Sequence, residues 1–273
     1  LAAAAGIEGV YVPSLYDVSY LPDGRIESIT PKDGAPQRVR KRIIQDLDAA
    51  DFPVHTIIPS TEIVHDRTML ELFRGCIRGC RFCQAGYVYR PVRAKKAETL
   101  VRQGIESLQY SGYEEISLTS LSTSDFKELG ALCDGLLDWC EPRSVSLSLP
   151  SLRADNFSLD LMQRVQKVRR SGLTFAPEAG TQRLRDGINK HVTEEGLLNA
   201  CRTAFSGGWS AVKLYFMLGL PTETDEDVMG IADLAYKVFQ VWRESTPNRS
   251  RGVRITGSTS CFIPTPITPF QRY

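Results

Sequence analysis

The stretch "MLELFRGCIRGCRFCQAG", residues 69–86, places a short apolar run directly before three cysteines. Residues 69–73 have the length and composition of a buried strand, and the glycine-containing basic loop that follows cannot continue it. Cys76, Cys80 and Cys83 lie in this loop with the spacing C-x3-C-x2-C. Because ligand sites in parallel α/β proteins lie beyond the carboxyl ends of the strands, the stretch predicts a strand and a site at its end.

The same alternation continues along the chain, as apolar runs separated by longer amphipathic segments. Six buried strands alternating with helices imply right-handed crossovers and a parallel sheet, which is an α/β fold. The pattern leaves open whether the sheet is an open, doubly wound sheet or a barrel. The predicted strands are residues 69–73, 115–120, 144–149, 172–177, 211–218 and 253–263, and the predicted helices lie near 95–111, 124–140, 156–171, 193–206 and 224–243.

Polar or Gly/Pro-rich segments follow each of these strands. The strand "EISLTS" is followed by "LSTSD", "SVSLSL" by "PSLR", "GLTFAP" by "EAGTQR", and "AVKLYFML" by "GLPTET". We therefore expect these segments to meet the cysteine loop, residues 74–86, on one rim of the fold. Two of them also match the pattern of a helix start, with Ser122 before Asp125 and Thr222 before Asp225.

Composition limits the class of protein. The 273 residues are 42% hydrophobic and carry 33 Lys+Arg against 32 Asp+Glu, a net charge of +1, so bulk charge indicates neither a nucleic-acid nor a membrane partner. No run predicts a transmembrane or signal segment. Seven cysteines, an odd number, fit a reducing cytosol. Residues 1–66 indicate an extended lead-in or linker, and both ends of the chain look cut from a longer protein.

The cysteine loop has two chemical interpretations from its residues. A structural zinc site needs four ligands, and the nearest outside candidates, His65 and Cys133, are not paired with a second ligand. Three thiolates on a [4Fe-4S] cluster instead leave one iron open to a substrate or cofactor. The seven basic residues between 74 and 96, with no acidic one, would offset the charge of such a cluster, bind an anionic ligand or RNA backbone, or form a solvated loop.

The ordered set of motifs resembles the radical S-adenosylmethionine (SAM) superfamily. It comprises the cysteine loop with Phe82 before its last cysteine, "ISLTSLSTSDF", "LPSLR", "TFAPEAGTQRLRDGINK" and "VKLYFMLGLPTETDED". The resemblance is greatest to a bacterial subfamily of cobalamin-associated radical SAM proteins related to the methylthiotransferases. It implies a partial (β/α)6 TIM-like barrel over residues 67–273, truncated at its C-terminal end, with residues 1–66 as the connecting segment. It also implies cobalamin on a domain that precedes the barrel.

The resemblance further implies a role for individual residues. Cys76, Cys80 and Cys83 would each bind one iron, and SAM would chelate the fourth. The remaining residues would contact SAM: Phe82 near the adenine, Thr119, Ser120 and Ser122 at the methionine end, Arg153 at the carboxylate, Glu178 at the ribose, and Gly219 and Pro221 beside the adenine. "TSLSTS" replaces the usual Gly-Gly-Glu, and Thr222 stands where glycine is usual. Lys213 is expected to face either the barrel interior or the surface.

We therefore predict a radical SAM enzyme that forms a 5'-deoxyadenosyl radical, with an electron donor such as flavodoxin or ferredoxin and with RNA or protein as substrate. The residues leave two alternatives: a non-catalytic zinc or iron-sulfur module, and cobalamin-dependent methylation of a small molecule. No residue is assigned a catalytic role beyond cofactor binding. Cys133, Cys140, Cys201 and Cys261 are expected to be small core residues, as free cysteines commonly are.

Overall fold

A computed structural model describes residues 1–32, 34–150, 163–165, 168, 172–246, 250 and 252–273. The chain divides into two compact units, Leu1–Gln45 and Asp46–Tyr273. The division into a lead-in over 1–66 and a barrel core over 67–273 stays a prediction. In the described part of the chain, no helix is long and apolar enough to cross a membrane.

The first unit consists of a short helix and a hairpin. Helix α1 covers Ala2–Ala5, and strands β1 (Tyr16–Tyr20) and β2 (Ile26–Pro31) pair antiparallel. The turn between them contains Gly24 in the left-handed region, φ 81°, which glycine adopts without steric cost. Five of the six residues of β2 are exposed, so the hairpin buries little on that side.

The second unit contains two three-stranded parallel sheets. Strands β3 (Thr68–Glu71), β6 (Glu115–Thr119) and β7 (Ser146–Ser148) form the first sheet. Strands β8 (Leu173–Glu178), β9 (Ala211–Leu218) and β10 (Arg254–Cys261) form the second, with β9 in the centre. Between β3 and β6, strands β4 (Phe73–Arg74) and β5 (Arg93–Ala94) pair antiparallel. All six predicted strands are therefore present.

Within the described ranges, helices with defined bounds connect these strands. They are α2 (Ala85–Val88), α3 (Ala97–Ser111), α4 (Leu129–Cys140), α5 (Gln182–Gly187), α6 (Glu194–Ser206) and α7 (Asp225–Ser245), which precedes β10. Helices α3 and α4 cover one face of the first sheet, and α6 and α7 cover one face of the second, each over a buried apolar cluster. The predicted helix near 156–171 falls almost wholly outside the described residues. Helices α2 and α5 were not predicted, because both are shorter than two turns.

Two helix starts differ from their sequence signals. Helix α7 begins after Thr224, not Thr222, and the carboxylate of Asp227 accepts from the Thr224 backbone N–H at 2.8 Å. The expected cap by Thr222 is therefore wrong. The expected cap by Ser122 is also wrong, because a 3-10 turn over Thr123–Asp125 follows it without a side-chain capping bond, and the helix begins only at Leu129.

Candidate functional site

The cysteine loop follows β4, and the chain then continues through α2 to β5, which pairs antiparallel with β4. Gly75 opens the loop with φ 97°, and a Cβ at this position would lie 2.4 Å from the carbonyl oxygen of Tyr89. Gly86, in α2, packs as closely, since a Cβ there would lie 2.5 Å from the carbonyl oxygen of Arg78. Glycine at both positions therefore lets the loop fold back on itself at backbone contact distance.

All three predicted iron ligands are on this loop. Cys80 is buried, whereas Cys76 and Cys83 are half-buried, and no disulfide joins them. The backbone N–H of Arg78 donates to Sγ of Cys76 at 3.4 Å, the kind of hydrogen bond that stabilises a thiolate. Within the described ranges, no three His, Cys, Asp or Glu side chains are gathered closely enough to hold a metal ion. The donor chemistry of the loop fits an iron-sulfur cluster, and the assignment of its ligands stays a prediction.

The loop is fixed to the turn that follows α5. The backbone N–H of Arg81 donates to the carbonyl of Ile188 at 2.9 Å, and its guanidinium donates to the carbonyl of Gly187 at 2.6 Å. The side-chain amide of Asn189 donates to the carbonyl of Gly79 at 2.7 Å. Asn189 has φ 57°, a conformation that asparagine tolerates better than most residues. Residues 187–190, the "GINK" end of the motif "TFAPEAGTQRLRDGINK", therefore hold the cysteine loop in place.

Phe82 lies where the loop meets the C-terminal segment. The hydroxyl of Thr265 donates to the carbonyl of Phe82 at 3.2 Å, and the side chain of Gln84 donates to the carbonyl of Pro266 at 3.2 Å. Thr265 thus contacts the cysteine loop. The Phe82 ring packs against a small buried cluster formed by Ala179, Leu184, Ile188, Leu220 and Phe270.

A cavity of about 350 Å³ opens beside Cys76. Ser122 lines it, and its buried hydroxyl has no hydrogen-bond partner among the described residues. A buried hydroxyl without a partner is costly unless a ligand satisfies it, so this observation fits the predicted contact between Ser122 and SAM. The other two predicted hydroxyls do not line the cavity: Thr119 is exposed, and the Ser120 hydroxyl lies 3.0 Å from that of Thr123.

An ion pair that the sequence did not predict includes Asp125, which lines this cavity. The guanidinium of Arg78 donates to both carboxylate oxygens of Asp125, at 2.9 and 2.5 Å. The side chain of Asp125 is only 9% exposed, so the pair is well shielded from water. The only sequence feature that points to this pair is Asp125 in "LSTSD", which the pattern presents as part of a helix start. Lys95 also lines the cavity, and burial lowers the pKa of its ammonium.

Glu178 ends β8 with φ 69°, a strained conformation for a residue with a side chain. Its carboxylate pairs with the ammonium of Lys190 at 2.8 Å, and both side chains are mostly buried. The same ammonium lies 5.8 Å from the centre of the Phe82 ring. Lys190 therefore connects the predicted ribose contact with the predicted adenine contact. Sequence reasoning missed it, although it ends the quoted motif "TFAPEAGTQRLRDGINK".

The turn after β9 has the backbone conformation that its sequence predicts. Gly219 has φ 79°, its N–H donates to the Glu223 carboxylate at 2.6 Å, and nothing lies within 4 Å of a Cβ built on it. Thr222 has φ 68°, so it adopts the left-handed conformation that favours the glycine usual there. Pro221 is half-buried, and Leu220 beside it belongs to the buried cluster against which Phe82 packs. Arg153 lies outside the described residues.

Three of the four remaining cysteines are buried away from this site. Burial raises the pKa of Cys133 to about 12, of Cys140 to about 11 and of Cys201 to about 12. Such thiols are protonated at neutral pH and unreactive. Cys261 is exposed at the end of β10, so the expectation of a core residue is wrong there. It is the last residue of β10, an edge strand of the second sheet.

The model of the radical SAM superfamily matches residues 70–235, about three fifths of the chain, and this span contains the cysteine loop, Ser122, Glu178 and the turn after β9. The chain belongs to the radical SAM superfamily. A [4Fe-4S] cluster and SAM are the cofactors that this membership implies.

Two relatives come from the archaeon Methanocaldococcus jannaschii. An uncharacterized protein is 34% identical over 265 residues, which is 97% of this chain and 52% of that protein. A predicted methylthiotransferase is 22% identical over 167 residues, covering 59% of this chain and 37% of the other. The chain therefore spans about half the length, or less, of the curated relatives it matches.

A solved structure with a similar fold is TsrM from Kitasatospora setae, a radical SAM methyltransferase with cobalamin and a [4Fe-4S] cluster bound. Its TM-score is 0.57 at 15% identity, over 75% of this chain and 38% of that chain. At this identity the likeness concerns the fold alone. It confirms the α/β architecture with two parallel sheets as a partial TIM-like barrel.

Proposed function

We propose that this chain is the core of a radical SAM enzyme in which Cys76, Cys80 and Cys83 bind a [4Fe-4S] cluster. The observation that carries the proposal is the position of the cysteine loop. It is fixed to the carboxyl-end segments of the second sheet and borders a cavity with an unsatisfied buried hydroxyl. When bound, the reduced cluster supplies one electron that breaks a sulfonium S–C bond of SAM, which gives methionine and a 5'-deoxyadenosyl radical that takes hydrogen from the substrate.

The residues of the chain would bind and orient SAM. Ser122 would hydrogen-bond its methionine end, because the Ser122 hydroxyl is buried at the cavity and lacks a partner in the described part of the chain. Phe82 would border the adenine together with Gly219, whose missing side chain leaves room for a flat ring. The Glu178 carboxylate, held by Lys190, would accept from the ribose hydroxyls.

The proposed SAM contacts also include Thr119, Ser120, Arg153 and Pro221. Thr119 ends β6 and Ser120 follows it, at the same rim, but neither lines the cavity, so both would need to move to reach the cofactor. Pro221 supports the proposal by setting the turn that carries Gly219. The buried surroundings of the loop would exclude water, which protects a radical from side reactions.

The electron would come from a small carrier such as flavodoxin or ferredoxin. The loop and the segment after it expose Arg81 and Lys96, with no acidic residue between positions 74 and 96. Exposed cations attract an acidic carrier and raise its association rate at low salt. The cysteine content fits a reducing compartment, the cytosol, where such carriers act.

The remaining proposals concern the whole protein. Residues 1–66 would link the barrel of residues 67–273 to a further region, and cobalamin would bind there, since the structurally similar TsrM is a cobalamin-containing methyltransferase. RNA or protein would be the substrate, as the relation to a predicted methylthiotransferase suggests. Methylation of a small molecule is the alternative enzymatic outcome.

Anaerobic reconstitution tests the central proposal. Iron, sulfide and zinc are counted after reconstitution, and 5'-deoxyadenosine is measured after reduction in the presence of SAM. We expect about four irons per chain and formation of 5'-deoxyadenosine. Stoichiometric zinc, or a full cluster that does not cleave SAM, would show instead a non-catalytic metal-binding module.

Two cysteine variants make the test specific. Cys80→Ala should lose both the cluster and SAM cleavage. Cys140→Ala is the matched control, because this thiol is buried in α4 and should leave both intact. Loss of the cluster in Cys140→Ala, with no loss of folding, would mean that the ligands are assigned wrongly.

A further inference from the structure

The central strand of the second sheet carries two different faces. Val212, Leu214 and Phe216 of β9 are buried in the apolar cluster beneath α6 and α7. Because side chains alternate along a strand, Lys213 and Tyr215 point to the opposite face. We call this the inner face.

The neighbouring strands continue the polar character of the inner face. In the sheet register, Lys213 is paired with Thr174 on β8 and with Thr256 on β10, and Tyr215 is paired with Ser258 on β10. Thr174 and Thr256 are exposed, and Tyr215 is 39% exposed. The inner face therefore carries hydroxyl groups around the Lys213 ammonium, and the Arg254 guanidinium, paired in register with Ala211, lies on the same face at the start of β10.

This composition is unusual for its position. Parallel sheets in α/β proteins are normally covered on both faces, so the central strand is apolar on both sides. Here the outer face follows this rule and the inner face does not. A lysine and hydroxyl groups on the inner face of a central strand add nothing to an apolar core, which indicates that a ligand covers this face.

The charge of Lys213 is not neutralised within the described residues. Its ammonium lies 4.5 Å from the centre of the Tyr215 ring, and no described carboxylate forms an ion pair with it. A lysine at a partly covered site without an acidic partner is suited to bind an anion, and hydroxyl groups on both sides can donate to the same anion.

The position of Lys213 along β9 indicates how long a molecule bound along the inner face would be. Met217, four residues further on, packs against the same small buried cluster as Phe82. At about 3.3 Å per residue, Lys213 lies about 13 Å below that level, measured along the strand. A molecule that reaches from the cysteine loop to Lys213 would therefore span about 13 Å along the inner face.

We propose that the inner face binds the substrate and that Lys213 binds an anionic group of it, a carboxylate or a phosphate, between the hydroxyls of Thr174 and Thr256. An apolar or planar part of the substrate then lies against the exposed ring of Tyr215. The proposal rests on the proposed function in one respect: the end of the substrate opposite to its anionic group would lie at the cysteine loop.

The test uses the full chain without cluster or SAM, so failure of SAM cleavage does not affect its result. Lysines are dimethylated with ¹³C, which keeps their charge, and the Lys213 signal is assigned from Lys213→Met. The probes are phenyl phosphate, phenylacetate, inorganic phosphate and neutral benzyl alcohol. We expect phenyl phosphate, phenylacetate or both to shift the Lys213 signal saturably, with at least tenfold lower Kd than inorganic phosphate. Benzyl alcohol should leave the signal unchanged. The aromatic anion with the lower Kd identifies the anionic group that Lys213 binds as a phosphate or a carboxylate.

Variants complete the test by calorimetry. Lys213→Met should abolish binding of the aromatic anion, and Lys213→Arg should keep it within a few-fold. Lys237→Met, which removes a lysine from the exposed side of α7, should bind like the wild type. A Lys213 signal that neither aromatic anion shifts, or that shifts no more than the Lys237 signal, would overturn the proposal. The Lys213 signal is also assigned from Lys213→Arg, which lacks the same dimethyl-lysine group, so this result holds even if Lys213→Met fails to fold.

Discussion

The buried carboxylate of Asp227 should make a large, pH-dependent contribution to stability. Its side chain is 1% exposed and accepts from the hydroxyl of Thr181, the backbone N–H and hydroxyl of Thr224, and the guanidinium of Arg183. Burial by itself raises the pKa of Asp227, but these hydrogen bonds outweigh it and lower the pKa from 3.8 to about 2. The carboxylate thereby attaches the segment after Glu178 to the first turn of α7.

The lowered pKa of Asp227 gives the size of its contribution to the free energy of unfolding. A pKa lowered by nearly two units on folding corresponds to about 2.5 kcal/mol of stability from the charged form. Because the folded pKa is below the unfolded one, this stability is complete above about pH 4 and is lost as the pH falls towards 2. Asp227→Asn should therefore lower the free energy of unfolding by about 2.5 kcal/mol at pH 7, and the difference from the wild type should shrink below pH 4.

Urea unfolding followed by tryptophan fluorescence measures this difference at pH 7, 4, 3 and 2.5. Asp225→Asn is the matched control: it removes an exposed carboxylate from the same helical turn and should cost only a few tenths of a kcal/mol. The reasoning is refuted if Asp227→Asn lies within about 0.5 kcal/mol of the wild type at pH 7. A difference that does not change with pH would refute it as well.

Two further predictions concern the cysteine loop and the buried thiols. Gly86→Ala should lower the free energy of unfolding by about 1–3 kcal/mol, because the new Cβ would lie 2.5 Å from the carbonyl oxygen of Arg78. Gly130→Ala, in open space on α4, should instead be neutral or stabilising in the same thermal or urea unfolding assay, and equal losses in both variants would contradict the packing argument. In thiol labelling at pH 8, exposed Cys261 should react within minutes, whereas Cys133 should react only on unfolding because burial raises its pKa to about 12. Rapid labelling of Cys133 in the folded chain, located by mass spectrometry, would show that the thiol is accessible.

The elements with the clearest local signals were predicted from the sequence. Strand β9 has its predicted bounds, 211–218, and β6 and α6 differ from prediction by one residue at an end. Their apolar spacing is a property of consecutive residues, so no tertiary information is needed. The predicted strand over 144–149 is shorter in the structure, because Ser144 adopts φ 56°, which no local pattern indicated.

The family motifs likewise located the segments of the site without their contacts. The sequence placed the cysteine loop, Ser122 and Glu178 on the same rim, since each follows a predicted strand. It did not reveal the Arg78–Asp125 pair or the Lys190–Glu178 pair, because the partners are side chains whose meeting depends on how separate loops fold.

The sequence by itself determined the α/β alternation, the three thiols on one loop and the family to which they belong, because these depend on residue type and spacing along the chain. Only the tertiary structure decided what holds the loop and what faces the interior of the barrel. The hydrogen bond from Asn189 to Gly79 joins residues 110 positions apart, and the inner face around Lys213 takes its side chains from three strands. Such contacts form only when distant segments pack together, and so no local pattern encodes them.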